Sequence, residues 1–293
     1  MANDYIPQVQ RGIDYIEANL HQKLVLSSVS QAAGLSHFHF QRIFRAVTGE
    51  SLAQYTKARR LSVALRQLQD RNQRIVDVAL DAGYQTHESF TRAFKAHFGV
   101  TPSAYRNHPI TLPVVPKPRI DEAYLRHLFK DAPPPPIRMK RSPQRVIGLS
   151  TRYDGGSRHK NTLGANLFEL WQAFIHRAHE VSDAQPGPFF GVLRVLPDPE
   201  GEVLEYVAAR PVSENAQPPD GMVAADIPGG MWAVFTHHGL PKAINHTIDY
   251  VYGAWLLQSG VRHTGGPDIE VYGPEWEPHS PTSMIRYAIP ITV

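Results

Sequence analysis

A twenty-residue stretch of this chain occurs twice, and the repeat limits the fold more than any other feature. Residues 36–55 read SHFHFQRIFRAVTGESLAQY, and residues 86–105 read THESFTRAFKAHFGVTPSAY. Aligned, Phe40 meets Phe90, Arg42 meets Arg92, Phe44 meets Phe94, Gly49 meets Gly99 and Tyr55 meets Tyr105, all at an offset of 50. A repeat at that period means two copies of one supersecondary unit.

The residues around each copy say what the unit is. Val9, Ile13, Ile16 and Leu20 recur at helical spacing and predict a helix over 7–20. Leu24–Leu26 leads to Ser27 or Ser28, the expected N-caps of a short helix closed by Gly34. Phe40, Ile43, Phe44 and Val47 then follow the i, i+3, i+4, i+7 pattern of a buried helix face. Phe38, Gln41, Arg42 and Arg45 take the opposite, basic side. In the second copy Ile75 and Val78 replace Leu26 and Val29, and Gly83 replaces Gly34. There Phe90, Ala93 and Phe94 turn inward, which leaves His87, Glu88, Thr91, Arg92 and Lys95 outside.

A short helix, a glycine-marked turn and a second helix with one apolar and one basic face form a helix-turn-helix, whose second helix enters the major groove of double-stranded DNA. Between the copies, Leu52–Leu68 contains neither Gly nor Pro and carries Leu61, Ala64, Leu65 and Leu68 on one stripe. It reads as a single helix roughly 25 Å long. Successive major grooves on one face of DNA are ~34 Å apart, so a strut of this length implies DNA bent toward the protein. Arg42 can pair bidentately with guanine, Gln41 with adenine, and Phe38 can pack on a thymine methyl. Glu88 can accept from cytosine, but it repels phosphate when misplaced, so the second helix is expected to read less sequence. A lone charge on a helix is ordinarily a solvated one; the repeat sets these apart.

Charge divides along the chain. Residues 1–110 hold 13 Lys and Arg against 8 Asp and Glu, residues 111–145 hold 8 against 3, and residues 146–293 hold 9 against 16. The basic front suits a polyanion and the acidic back something cationic. No apolar run is long enough to span a bilayer, no signal pattern opens the chain, and there is no cysteine. A cytoplasmic protein with no membrane partner is expected, without disulfides or thiolate metal sites. Of the 15 His, the pairs His37/His39, His176/His179 and His237/His238 lack a third ligand or diverge, so neither metal nor cofactor is expected. Asp154-Gly155-Gly156-Ser157 resembles a phosphate cradle only as far as any glycine turn does.

The stretch 5–108 resembles the DNA-binding domain of AraC/XylS-family transcription regulators, in the branch that includes MarA, SoxS and Rob. The AAG and DAG turns at 32–34 and 81–83, SHFHFQRIF at 36–44 and GYQTHESFTRAFKAHFGVTPSAYR at 83–106 carry the resemblance. It implies seven helices, recognition helices in two adjacent major grooves, and a site near a promoter where RNA polymerase is a further partner. By motif position, Phe38, Gln41 and Arg42 would read bases from the first helix and His87, Glu88, Thr91 and Arg92 from the second.

Prolines crowd residues 109–136 and mark a semi-rigid spacer between an N-terminal domain at 1–108 and a C-terminal domain at 137–293, with a short helix around Asp121–Phe129. Beyond it, expected strands at Val146–Tyr153, Phe189–Leu196, Val203–Val212, Met222–Ile227, Trp232–His237, Ile269–Tyr272 and Met284–Ile291 alternate with helices at Leu163–Val181 and Pro241–Gln258. The fold class is therefore multidomain: an all-α N-terminal domain, then an α+β domain of two strand-helix-strand-strand repeats. Its antiparallel sheet would carry both helices on one side and leave a cleft.

IPGGMWAVFTHHG at 227–239, TIDYVYGAWLLQSG at 247–260, DIEVYGPEW at 268–276 and AIPI at 288–291 resemble the GyrI-like effector-binding domain, which also occurs in BmrR-type multidrug sensors. The resemblance implies a cleft for a small lipophilic, often cationic, effector, with aromatic walls around one acid. Glu270 stands at the acid's position. Alternation places Glu270 and Tyr272 opposite Ile269 and Val271, so the pair faces either water or a polar-edged cavity. Phe168, Phe190, Tyr206, Trp232 and Trp276 are the candidate walls, and each is equally suited to core packing. Two other readings stay open: a GyrI-like hydrolase using a Glu and a Tyr as general base and acid, and a ligand-free protein-interaction module.

Overall fold

The computed structural model describes residues 5–22, 24–108, 110–121, 123–125, 134–154, 162–198, 201–277 and 280–292. The chain divides into two compact units that part at 128/129.

In the first unit, α1 (Tyr5–Ala18) buries Val9, Ile13 and Ile16 completely. The short helix α2 (Leu26–Ala33) ends at Gly34, whose φ of 70° is the left-handed closure expected there. The serine caps do not form. Val25 is extended and fills the cap position, so Ser27 and Ser28 are already helical. After the turn, Ser36 accepts the His39 N–H and opens α3 (His37–Thr48). Next, α4 (Leu52–Gln67) starts on a reciprocal Ser51–Gln54 capping box and buries Leu61, Ala64 and Leu65. The second copy repeats the order with α5 (Ile75–Asp81), α6 (His87–Phe98), capped by Thr86, and α7 (Pro102–Asn107).

The proline-rich segment corrects the spacer expected at 109–136, because much of its first half is docked on these helices. Leu112 packs against the cluster that holds Phe90, Phe94 and Tyr105. Val115 donates its N–H to Ser62 Oγ at 3.1 Å and receives Arg59 on its carbonyl. Lys117 pairs with Asp14 at 2.7 Å, and the Ile120 N–H donates to Gln10 Oε1 at 2.9 Å. Ile120 and Leu125 are buried. Proline denies this stretch a helix's own hydrogen bonds, so its free backbone groups pair with side chains of the surface beneath. Residues 123–125 are helical and Asp121 is not; 122 and 126–129 of the helix expected at Asp121–Phe129 lie outside the described residues, as does the Gly155-Gly156 turn.

The second unit is one antiparallel sheet in the order β1-β6-β9-β8-β3-β4-β2-β5, with β7 on β9. The strands are β1 (Ile137–Arg141), β2 (Gln144–Asp154), β3 (Phe189–Asp198), β4 (Gly201–Pro211), β5 (Val223–Ile227), β6 (Gly230–His238), β7 (Arg262–His263), β8 (Asp268–Tyr272) and β9 (Met284–Thr292). Two strand-helix-strand-strand repeats are present, through α8 (Thr162–Arg177) and α9 (Ile244–Tyr250). The second helix continues as a π-helical segment, Val251–Trp255, into Leu256–Gln258. Strands β1 and β7 go beyond the sequence expectation.

Strand β5 ends the order and β6 stands second at the other end, yet Pro228 and Gly229 alone join them. Two residues reach only about 10 Å, so the sheet must curl into a half-barrel. Val146, Phe190, Val207, Ile227, Trp232 and Ile269 form one cluster on its inner face. Trp171 and Phe174 of α8 and Ile244 of α9 pack with Tyr206, Tyr272 and Ile285 on the other face, so both helices lie on that side.

Candidate nucleic-acid interface and ligand site

On α3, Arg45 is exposed and Gln41 and Arg42 are half-buried. Phe38 departs from its outward placement: it is 7% exposed, with the Arg42 guanidinium 5.0 Å from its ring centroid. A ring so covered has little surface left for a thymine methyl. It supports the face it was expected to form, one turn before Arg42. On α6, Glu88, Arg92 and Lys95 are exposed and His87 is half-buried. Thr91 is half-buried with its Oγ1 fully covered, so its methyl and backbone face outward rather than its hydroxyl. The Glu88 carboxyl is held below its usual range by its own backbone N–H and then by Thr86. That engagement at the helix start suits a cap better than a base contact.

In the sheet unit, side chains from β4, β8 and α8 converge around Glu270, opposite Gly191 of β3. The pairings Gly191 to Glu270 and Phe189 to Tyr272 fix the register of β3 on β8. The Tyr206 hydroxyl donates to Glu270 Oε2 at 2.5 Å and the Tyr272 hydroxyl to the same oxygen at 2.6 Å. Trp171 Nε1 donates to the Tyr206 oxygen at 3.1 Å and extends the chain of polarised bonds. The Trp171 ring lies 4.6 Å from that of Tyr272, which lies 4.9 Å from Trp276. A Cβ built on Gly191 would collide with the Tyr206 hydroxyl and stand 2.9 Å from Glu270 Oε2, so the lack of a side chain there makes room for the pair.

Two comparisons fit these two sites. Residues 29–108 match the Helix-turn-helix domain family, and residues 134–292, more than half of the chain, match the GyrI-like small molecule binding domain family. The chain belongs to the GyrI-like family. It is similar along most of its length to the Right origin-binding protein of Escherichia coli K12, 29% identical over 272 residues that cover 89% of this chain and 88% of that protein. Transcriptional regulator Rob of Salmonella typhimurium is similar to the same extent, 29% over 89% of this chain and 88% of its own. The solved structure of SAV2435 bound to tetraphenylphosphonium aligns with a TM-score of 0.43 at 13% identity, over 54% of this chain and 93% of that one. An AraC-type helix-turn-helix region ahead of a GyrI-like domain is the layout of a DNA-binding transcription regulator, and the Salmonella relative is named as one.

Within the GyrI-like domain the expected wall residues separate by strand parity. Tyr206 and Tyr272 bond Glu270, and Trp276 packs edge-on against Tyr272. Phe190 and Trp232 are not: they lie on the inner face of the curl, and Trp232 is fully buried. Phe168 is 49% exposed on α8 and outside the cluster that packs on Tyr272. The residues missed are Trp171 and Phe189; Leu167, Leu170, Trp171 and Phe174 are a helical stripe that marked the inward face of α8. Burial, and then the charge of Glu270, push both phenols well above their ordinary range, so Tyr206 and Tyr272 remain donors at any physiological pH. Two residues along β8, buried Asp268 accepts from Tyr252 at 2.8 Å, Tyr287 at 2.5 Å and His263 at 3.0 Å, which ties the π-helical segment to the sheet.

Among the described residues no group of three His, Asp or Glu is placed to hold a metal. No described helix is long and apolar enough to cross a membrane.

Proposed function

We propose that this regulator reads two adjacent major grooves with α3 and α6 and is controlled by a small lipophilic cation held at Glu270. The observation that carries the effector reading is the half-buried Glu270 carboxylate, clamped by two phenols beside Trp171, Tyr272 and Trp276. An anion so placed favours a positive guest over a neutral one, and aromatic faces add to the preference once water is excluded. Trp276 Nε1, buried without a partner among the described residues, adds a donor for an acceptor atom on the guest.

Calorimetry with tetraphenylphosphonium and neutral triphenylphosphine oxide tests the charge. Glu270→Gln is expected to weaken the cation about tenfold and the oxide less than about twofold. Equal losses would remove the carboxylate from recognition. Both ligands should be recovered unchanged by mass spectrometry, since turnover would make the site hydrolytic.

The two-groove reading rests on the repeat and on α4. Its 16 residues span about 24 Å, less than the ~34 Å between grooves. A circular-permutation gel should show bent DNA in the specific complex, and mobility independent of site position would refute the strut argument.

A further inference from the structure

The docked proline-rich segment crosses the helical unit from one reading copy to the other. It begins where Leu112 packs against the core cluster of the second copy, passes α4 at Ser62 and α1 at Gln10, and ends at the C-terminus of α3. There the Tyr124 hydroxyl donates to the Val47 carbonyl at 2.7 Å, across 77 positions of sequence.

The last carbonyls of a helix lack partners within it. In α3, Arg45 O accepts the Gly49 N–H at 2.8 Å and Phe44 O accepts the Thr48 hydroxyl at 2.7 Å. Tyr124 supplies the donor for Val47. Its own N–H is fixed to Asp121 Oδ1 at 2.9 Å and the next residue, Leu125, is fully buried, so the ring leaves from an anchored turn. The copies differ here. Position 97 of α6 corresponds to Val47, and among the described residues no side chain bonds the His97 carbonyl.

We propose that Tyr124 is a positioning residue for DNA reading by α3. By fixing the last turn of that helix it sets the rotation at which Gln41, Arg42 and Arg45 meet base edges, while α6, capped by Thr86 at its start, has no such donor on its last turn among the described residues. A bidentate arginine–guanine pair tolerates only about 10–20° of misorientation, so a small rotation is felt at the base. This rests on the reading of α3 and α6 as the DNA-contacting helices.

The test uses the full chain and operators selected from a random duplex pool. Selections with Arg42→Ala and Arg92→Ala assign each half-site to its helix. Tyr124→Phe removes one hydroxyl and keeps the ring. It is expected to lower affinity for the selected operator about 3- to 10-fold, to flatten base preference in the α3 half-site, and to leave the α6 half-site as it was. Gln10→Ala, which frees the segment at Ile120, carries the same expectation should the first variant fail to fold in a thermal melt. Unchanged preference, or equal flattening of both half-sites, would overturn the proposal, since a general loss of stability cannot select one half-site. A wild-type selection without base preference in either half-site would instead overturn the reading on which it rests.

Discussion

Tyr55 and Tyr105 occupy the same place in the two helical copies, yet their hydroxyls are held in different ways. Tyr55 packs edge-on to Phe44 with centroids 5.3 Å apart, and Tyr105 lies 6.3 Å from Phe94. The Tyr55 hydroxyl donates to Glu17 at 2.8 Å, and Arg59 grips the same carboxylate through two bonds of 2.8 and 2.7 Å. Tyr105 accepts one neutral bond, 3.1 Å from Gln69 Nε2. Apolar packing thus sets where the ring sits in both copies, while the polar anchor sets which conditions each copy tolerates. The first depends on a buried ion pair and the second does not.

Breaking that pair should have the largest effect. Glu17→Gln leaves Arg59, whose side chain is 5% exposed, buried without its counter-charge, at a cost of about 3 kcal/mol in urea unfolding. Acid should separate the copies next. Burial alone would raise the Glu17 carboxyl, but Arg59 and Tyr55 outweigh it and bring it below its usual 4.5. A depressed carboxyl contributes stability above its unfolded value and loses it as pH falls through the folded one. Amide exchange followed as pH falls below 4.5 should therefore open α1 and the start of α4 before α6 and α7; simultaneous opening would mean that the ion pair does not distinguish the copies. The smallest effect compares the rings themselves: Tyr55→Phe, which loses a bond to a charged acceptor, is expected to cost about 2 kcal/mol, and Tyr105→Phe about 1 kcal/mol.

What the sequence showed follows from how local each interaction is. Phe40, Phe44, Phe90 and Phe94 are fully buried or nearly so, and Gly34, Gly49, Gly83 and Gly99 all take positive φ, because periodicity and turn chemistry act within a few residues. Phe38 escaped because helical spacing gives a direction and not a degree of cover. The docked segment escaped because bonds from Gln10, Ser62 and Val47 leave no trace among the prolines they hold. In the sheet unit, alternation places Glu270 and Tyr272 on one face, where the Tyr272 hydroxyl donates to the carboxylate. Nothing local to 189–190 tells which of Phe189 and Phe190 shares the face of Glu270, because the register of β3 on β8 is a pairing between distant segments.

Gly191 gives this site an unusual kind of vulnerability. The hydrogen-bonded carboxylate exists where a methyl group would otherwise be. A lineage that keeps Glu270, Tyr206 and Tyr272 but undergoes the single change Gly191→Ala would retain every charge and every ring and still lose the clamp. For this fold, then, inheritance of the Glu270 clamp is better traced by a vacancy than by its functional groups, and a census of acids and aromatics would miss its disappearance.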